Sequence, residues 1–491
     1  MSGGQVVVGI DVGTSGVKAV AVSPQGRVVA QAKFGYELST PQPGWAEQDP
    51  EDWWHATELA LGSLTEQLGG SGRVVGVGLS GQMHGLVCLD AEDEIIRPAI
   101  LWNDQRTYRE CAVIEQAVGL QRLIELTGNR MLPGFTAPKL LWLRRHEPAS
   151  YERIRHVLLP KDYVRLRLTG EKAVDVADAS GTLLFDVARR AWSNEVLQTL
   201  EIPADWLPRT LESTEVSGVT LTGVPLPAGI PVAAGAGDQQ AGALGVGVVE
   251  PGPLSVVLGT SGVVLAALDR YAHDREARAH TFCHAVPNLW EAMGVMLSAA
   301  GSLRWLRDAV APGVSYEELT AEAGRWEPGA GGLLFQPYLQ GERTPHADPH
   351  ARGAFVGLSL VHDRGALVRA VLEGVAYGLR DSLELLREAG APTASGRISG
   401  GGARSRLWIE IVASVLGLPL ELTAVEEGAA FGAALLGGVA AGIFRGPAEA
   451  VQACVVVGDR IDPNLDWQER YEHGYARYRA LYPALRPLEE L

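Results

Sequence analysis

The chain has 491 residues, enough for two or more domains with separate cores. Its 46% hydrophobic and 20% charged residues match a folded globular protein and exclude a disordered one. A formal net charge of −16 repels a phosphate backbone, so nucleic acid is not an expected partner.

The four cysteines (Cys88, Cys111, Cys283, Cys454) form no CxxC pair and are too few to staple a chain of this length, which fits reduced thiols in a cytoplasm. The apolar run VVVGIDV begins after five residues with no basic stretch or cleavage pattern before it, and the chain has no N-x-[ST] sequon, so secretion is not expected. Glycine is the one departure from average composition. The 59 glycines well exceed the roughly 7% of residues usual in proteins, and they lack a collagen-like period, which points to tight turns and close backbone approach.

In chain order, VVVGIDV leads into Gly13-Thr14-Ser15-Gly16-Val17, and KAVAVS and RVVAQAKF, joined by Pro24-Gln25-Gly26, complete a predicted antiparallel meander. Asp11 closes the first strand, small residues expose N–H groups and hydroxyls in the turn, and Lys18 follows. Such a turn can cradle phosphate, although an ordinary hairpin with a surface lysine has the same pattern. A helix is predicted from Glu51 through HATELALGSLTEQL to the Gly69-Gly70 stop, before the strand VVGVGLS. Gly76–Gly81 satisfies GxGxxG, but the chain then continues through a polar turn into another strand, where a dinucleotide fingerprint would open a helix. The absence of any Gly-Lys dipeptide removes a Walker A. Helical signal returns from Arg122 to Arg155, broken at Met131–Thr136.

Asp238 stands alone among small residues in GAGDQQAG, after the strand IPVAAGA. It reads as a helix N-cap, as a reactive carboxylate open to a cleft, or as both. A junction is expected near Gly247–Pro253. Half a chain after the first turn, Gly259-Thr260-Ser261-Gly262-Val263 repeats it after LSVVL and before VLAAL. The repeat predicts two related α/β domains, each offering a turn to one polyphosphate. An acid beside phosphates works through a divalent ion, which gives Asp11 a Mg²⁺ role, through water. Farther on, helices over Arg364–Arg387 and Leu407–Leu416 flank the strand RISGG, and Gly400–Ser405 between them suits close approach to a nucleotide. Gly428–Phe444 is uncharged, but five glycines and six alanines in seventeen residues predict a helix packed closely on a sheet and not a membrane span.

These motifs, with WAEQDPEDWW (45–54), SGQMHG (80–85), RPAILWNDQR (97–106), GFTAPKLLWLRRH (134–146), LLPKDYVRLRLTGE (158–171), DASGT (178–182) and GERTPH (341–346), resemble the FGGY carbohydrate kinase family over nearly the whole chain, and GQMHG resembles its xylulose-acting branch. The resemblance implies an α/β fold of two related ribonuclease-H-like domains, as in actin and hexokinase, with an active-site cleft between them. It divides the chain at 247/248 into a sugar-binding half with the first phosphate turn and a nucleotide-binding half with the second. It further implies phosphorylation of D-xylulose to D-xylulose 5-phosphate by ATP with Mg²⁺, and a possible homodimer. Asp238 would be the general base, with Asp11 assisting through the metal. Met83, His84, Asp238, Gln239, Trp102 and Asp104 would meet the sugar. Thr14, Ser15, Lys18, Gly259 and Thr260 would face the phosphates, and Gly401, Gly402, Ala403 and Ser405 would border the adenine nucleotide. Two positions depart from the family pattern: Gln239, where many relatives carry Asn, and Ala366, where a polar or acidic residue is usual.

Overall fold

In the computed structural model, which describes residues 4–424 and 428–489, the repeated turn stands at the centre of a repeated sheet. Strands β1 (Val6–Val12), β2 (Gly16–Val22) and β3 (Val28–Gly35) form the expected meander, and β4 (Val74–Gly81) runs parallel on the other side of β1. With β5 (Val216–Val219), β6 (Pro231–Ala233) and β7 (Ala236–Gly237) the order is β5-β6-β4-β1-β2-β3, β7 also pairing with β4. The second half builds its sheet from β8 (Gly252–Leu258), β9 (Gly262–Leu268), β10 (His280–Cys283), β11 (Trp290–Met296), β12 (Thr393–Ser399), β13 (Leu420–Thr423) and β14 (Val457–Ile461). Its order is β10-β11-β9-β8-β12-β13-β14. In both sheets the strand before the turn has two successive parallel neighbours (β4 and β6, or β12 and β13) and then an antiparallel edge (β5 or β14). Two α/β domains with the same mixed-sheet plan are therefore present.

Helices cover these sheets; those expected from the sequence appear with small shifts at their ends, and one over Ala300–Val310 was not expected. Helix α1 (Pro50–Gln67) begins one residue earlier than expected, because Asp49 accepts from Glu51 N at 3.0 Å and Pro50 occupies the first helical position. Helices α2 (Thr136–His146), α3 (Asp238–Gly245), α4 (Ala300–Val310), α5 (Arg364–Glu388) and α6 (Arg406–Leu416) follow. The start of α5 does not depend on the side chain at Ala366, since the Asp363 carboxylate caps it by accepting from Ala366 N at 3.0 Å.

Helix α7 (Gly428–Ala440) lies within the alanine-rich segment and is buried, and no helix among the described residues is long and apolar enough to cross a membrane. Although it lies between β13 and β14 of the second sheet in sequence, it packs on β1, β4 and α3 of the first half. Phe431 and Leu435 share a core cluster with Val20, Val22 and Leu244. GxGxxG lies inside β4, and its Gly76 and Gly78 form the groove for this helix. A methyl group at Gly78 would overlap the Ala433 carbonyl oxygen, one at Gly9 the Ala430 carbonyl oxygen, and one at Gly432 the carbonyl oxygen of Ala241 in α3. The neighbours are backbone on rigid elements and cannot rotate away. Gly78→Ala is therefore expected to destabilise the protein by about 3 kcal/mol, the upper end of the usual overpacking range. Gly62→Ala in α1, with nothing within 4 Å of its added methyl, should instead stabilise by roughly 0.5–1 kcal/mol. Denaturant unfolding of the two variants checks the contrast.

Candidate active site

The register of the first sheet assembles one end of the site. Asp11 on β1 lies opposite Lys18 on β2 and Ser80 on β4, and Ser80 Oγ donates to Asp11 Oδ1 at 3.1 Å. Since β7 pairs with β4 at Ser80–Gly81, Asp238, the next residue after β7, arrives beside the same strand end. The N-cap of α3 is Gly237, with Asp238 at the first helical position, which corrects the N-cap reading of Asp238. Its carboxylate is left for the cleft, where Gln239 Nε2 donates to Oδ1 at 3.3 Å.

Asp11 and Asp238 line one cavity of about 490 Å³ between the two halves, whose other wall includes Gly401, Ala403, Arg404 and Thr423. Each acid keeps part of its surface open to the cleft but is surrounded by protein, and lost hydration raises both pKa values. Asp238 is pushed up to about 7, by desolvation first and by the negative charge of Asp11 second. The position on β8 that repeats Asp11 is Val257, which lines the same cavity, so the duplicated turn is acidic on one side only.

The first Gly-Thr-Ser-Gly turn is braced by side chains around it. Gly13 N donates to Gly16 O at 3.1 Å, and Thr14 Oγ1 donates to Gln82 Oε1 at 3.1 Å while accepting from Trp102 Nε1 at 3.0 Å. Gln48 Nε2 donates to Thr14 O at 2.7 Å, and Gln48 Oε1 accepts from both Gln82 Nε2 and Trp53 Nε1 at 3.0 Å. The Thr14 hydroxyl and the Trp102 N–H are thus engaged with each other.

Asp104 is not placed to meet a sugar. It is fully buried, its carboxylate is bidentate with Arg106 at 2.7–3.0 Å, and it accepts from Ala46 N at 2.6 Å. Arg106 also lies over the Trp45 ring at 3.6 Å, so this acid clamps RPAILWNDQR to WAEQDPEDWW. Across the cleft, Ser405 Oγ caps α6 by accepting from Trp408 N at 3.3 Å, and Gly402 packs on Leu258 ahead of the second turn. The carbonyls of Gly259 and Thr260 accept from Ala300 N and Ala299 N, both at 2.8 Å, at the start of α4.

Met83 and His84 do not line the 490 Å³ cavity; Met83 adjoins it through Gly237, where an added methyl would meet the Met83 side chain. His84 holds a positive φ of 67°. Its carbonyl accepts from Lys139 Nζ at 2.8 Å and Thr136 Oγ1 at 3.0 Å, and its ring meets Phe135 edge-on at 4.6 Å. Burial, followed by the charges of Lys139 and Arg343, holds its pKa well below the usual histidine range, so the ring is neutral. Because Gly181 O, 2.8 Å from Nδ1, can only accept, the proton sits on Nδ1 and Nε2 presents a lone pair. Sequence reasoning missed Gln48, Gln82, Ser80 and Lys139. Lys139 carried a signal, as one cation in the apolar stretch of α2.

The chain belongs to the FGGY family of carbohydrate kinases. Residues 6–245 match the description of its N-terminal domain and residues 254–441 that of its C-terminal domain. It is 43% identical to the xylulose kinase of Escherichia coli (strain K12) over 486 residues, covering 98% of this chain and 99% of the relative. A xyloylose kinase from Brucella ovis superposes with a TM-score of 0.92 at 43% identity, over 99% of this chain and 100% of that one. A gluconate kinase from Lactobacillus acidophilus reaches 0.93 at 25% identity, over 98% of both chains, so the backbone plan is shared by kinases named for different sugars.

The raised pKa of Asp238 also has a stability consequence. An unfolded Asp titrates at about 3.9, so folding holds a proton on Asp238 that the unfolded chain has released, and stability falls as pH rises from about 4 through about 7. Asp238→Asn removes that loss. Its Tm should exceed that of the parent protein at pH 8, and the difference should vanish near pH 4.

Proposed function

We propose that the protein transfers the γ-phosphoryl group of ATP to the C5 hydroxyl of D-xylulose, giving ADP and D-xylulose 5-phosphate. The observation that carries this reading is Asp238, a carboxylate with its pKa raised to about 7, beside Asp11 on the floor of an interdomain cleft. A carboxylate of ordinary pKa is a poor acceptor for an alcohol proton, and raising it toward neutrality strengthens the base while leaving it ionised above pH 7. Asp238 takes the hydroxyl proton as the bond to phosphorus forms, and Gln239 orients it. His84 Nε2 accepts from a sugar hydroxyl, with Met83 packed beside it. Half-buried Trp102 borders the sugar while bracing Thr14.

Phosphoryl transfer needs in-line positioning and cover for spreading negative charge. In this reading Lys18, the backbone N–H groups at Thr14 and Ser15, and those at Gly259 and Thr260 supply the cover. Gly401 and Ala403 border the nucleotide, with Gly402 and Ser405 shaping their loop from behind. Asp11 would hold a divalent ion through water at this cavity, and such an ion, Mg²⁺, would supply positive charge against that of the nucleotide phosphates. Residues 1–247 then hold the sugar and residues 248–491 the nucleotide, except that α7 returns to the first sheet. A cytoplasmic setting and a homodimer belong to the same proposal, the former supported by four buried free cysteines.

The test is ADP release from Mg-ATP with D-xylulose, L-xylulose, D-ribulose, L-ribulose, glycerol and gluconate, against a no-sugar control. A strong preference for D-xylulose over low background hydrolysis is expected. Preference for another sugar would replace the substrate and keep the chemistry, and silence across the panel would make the protein a sugar or nucleotide sensor.

A further inference from the structure

The segment Gly341–His346 has no task in the reaction above, yet it is fastened beside the second phosphate turn. Thr344 N donates to Val295 O at 2.9 Å, Val295 N donates to Thr344 Oγ1 at 3.0 Å, and Leu297 N donates to Glu342 Oε1 at 2.9 Å. Val295 and Met296 on β11 are the partners of Val263 and Gly262 at the end of that turn. The adjacent strand β10 brings His280 into the same region. Its ring lies 5.7 Å from Phe282 and 5.7 Å from Phe135, the residue that meets His84. One aromatic group thus joins a histidine from each half of the molecule.

The polar atoms around it are incompletely matched. Asn129 Nδ2 donates to the carbonyls of Thr127 and Thr281, both at 2.9 Å, so its Oδ1 is the acceptor for His280 Nδ1 at 2.7 Å. His280 therefore carries its proton on Nδ1, and its buried Nε2 lone pair has no partner. The guanidinium of Arg343 makes no hydrogen bond or ion pair among the described residues, and its charge acts on both His84 and His280. A recessed donor fork without an acceptor and a buried acceptor without a donor call for a ligand that is both.

We propose that Arg343 is a sugar-binding residue, supplied by the C-terminal half, that completes the sugar site opposite His84. The inference rests on the kinase reading and deepens it. Transfer to C5 requires a free C5 hydroxyl, which in the furanose ring of a ketopentose is the ring oxygen, so the reacting form is open-chain. That form presents an sp² carbonyl oxygen at C2, which only accepts, among hydroxyls that both donate and accept. The Arg343 fork suits the carbonyl, and the lone pairs of His84 and His280 suit the hydroxyls. A site that needs residues from both halves also ties sugar binding to closure of the cleft.

Arg343→Met should raise the KM for the sugar at least tenfold and leave the KM for ATP within twofold, with Arg343→Lys recovering part of the loss. Arg343→Lys also serves if the methionine variant fails to fold, which circular dichroism melting reports. A sugar KM within twofold of the parent in the folded variants, or an ATP KM that rises in step with it, overturns the proposal. If the parent enzyme turns over a different sugar, the same two KM values are measured with that sugar, and Arg343 stands or falls apart from the choice of D-xylulose. A parent enzyme that turns over no sugar overturns both readings.

Discussion

The rest of the structure depends on the contact of α7 with β1, β4 and α3. β1 carries Asp11, β4 carries Ser80 and runs into Gln82, Met83 and His84, and α3 begins at Asp238. One helix from the far end of the chain touches all three, through glycine and alanine positions where backbone meets backbone. At that separation there is no side chain to change rotamer, so the spacing between the elements that carry the two carboxylates is set by main-chain contact. The glycine excess thus serves the interior as much as the turns.

That rigid spacing carries an electrostatic cost. Asp11 and Asp238 share a cleft and lose hydration there, which raises the pKa of each, and the charge of Asp11 raises that of Asp238 further. A structure that only needed stability would not hold two acids there, and the corresponding position before the second turn is Val257. Keeping both on one side makes sense if the cleft receives groups that offset the repulsion, a divalent ion with phosphates beside Asp11 and an alcohol proton at Asp238. The two halves thus share one sheet plan but differ in charge at the turn, with both acids on the first half.

Much of this was legible in the residues. The repeated Gly-Thr-Ser-Gly turn predicts the paired meanders, and the observed registers place Asp11 opposite Lys18 as the short turn requires. Composition foretold that α7 is buried, but a helix apolar on every side gives no sign of which sheet it covers, and here it covers the one earlier in the chain. Asp104 reads as a candidate ligand because a carboxylate in a motif looks available. Its engagement by Arg106, two residues on, depends on a tight turn that side-chain identity alone does not reveal. Gly237 displaced Asp238 from the N-cap because α3 starts directly from a two-residue strand, leaving the acid inside the first turn. Gln48 and Gln82 escaped notice because amides carry no charge signal, and their pairing spans 34 residues.

The central claim is that Asp238 moves a proton and does not merely shape the cleft. The most direct measurement is the turnover of Asp238→Ala alongside calorimetric binding of sugar and nucleotide to the same variant. The account predicts that both ligands still bind, with affinities within about tenfold of the parent, while kcat falls to the no-sugar background. A variant that binds both ligands and keeps a kcat near that of the parent would contradict the account, and the base would have to be sought elsewhere in the cleft.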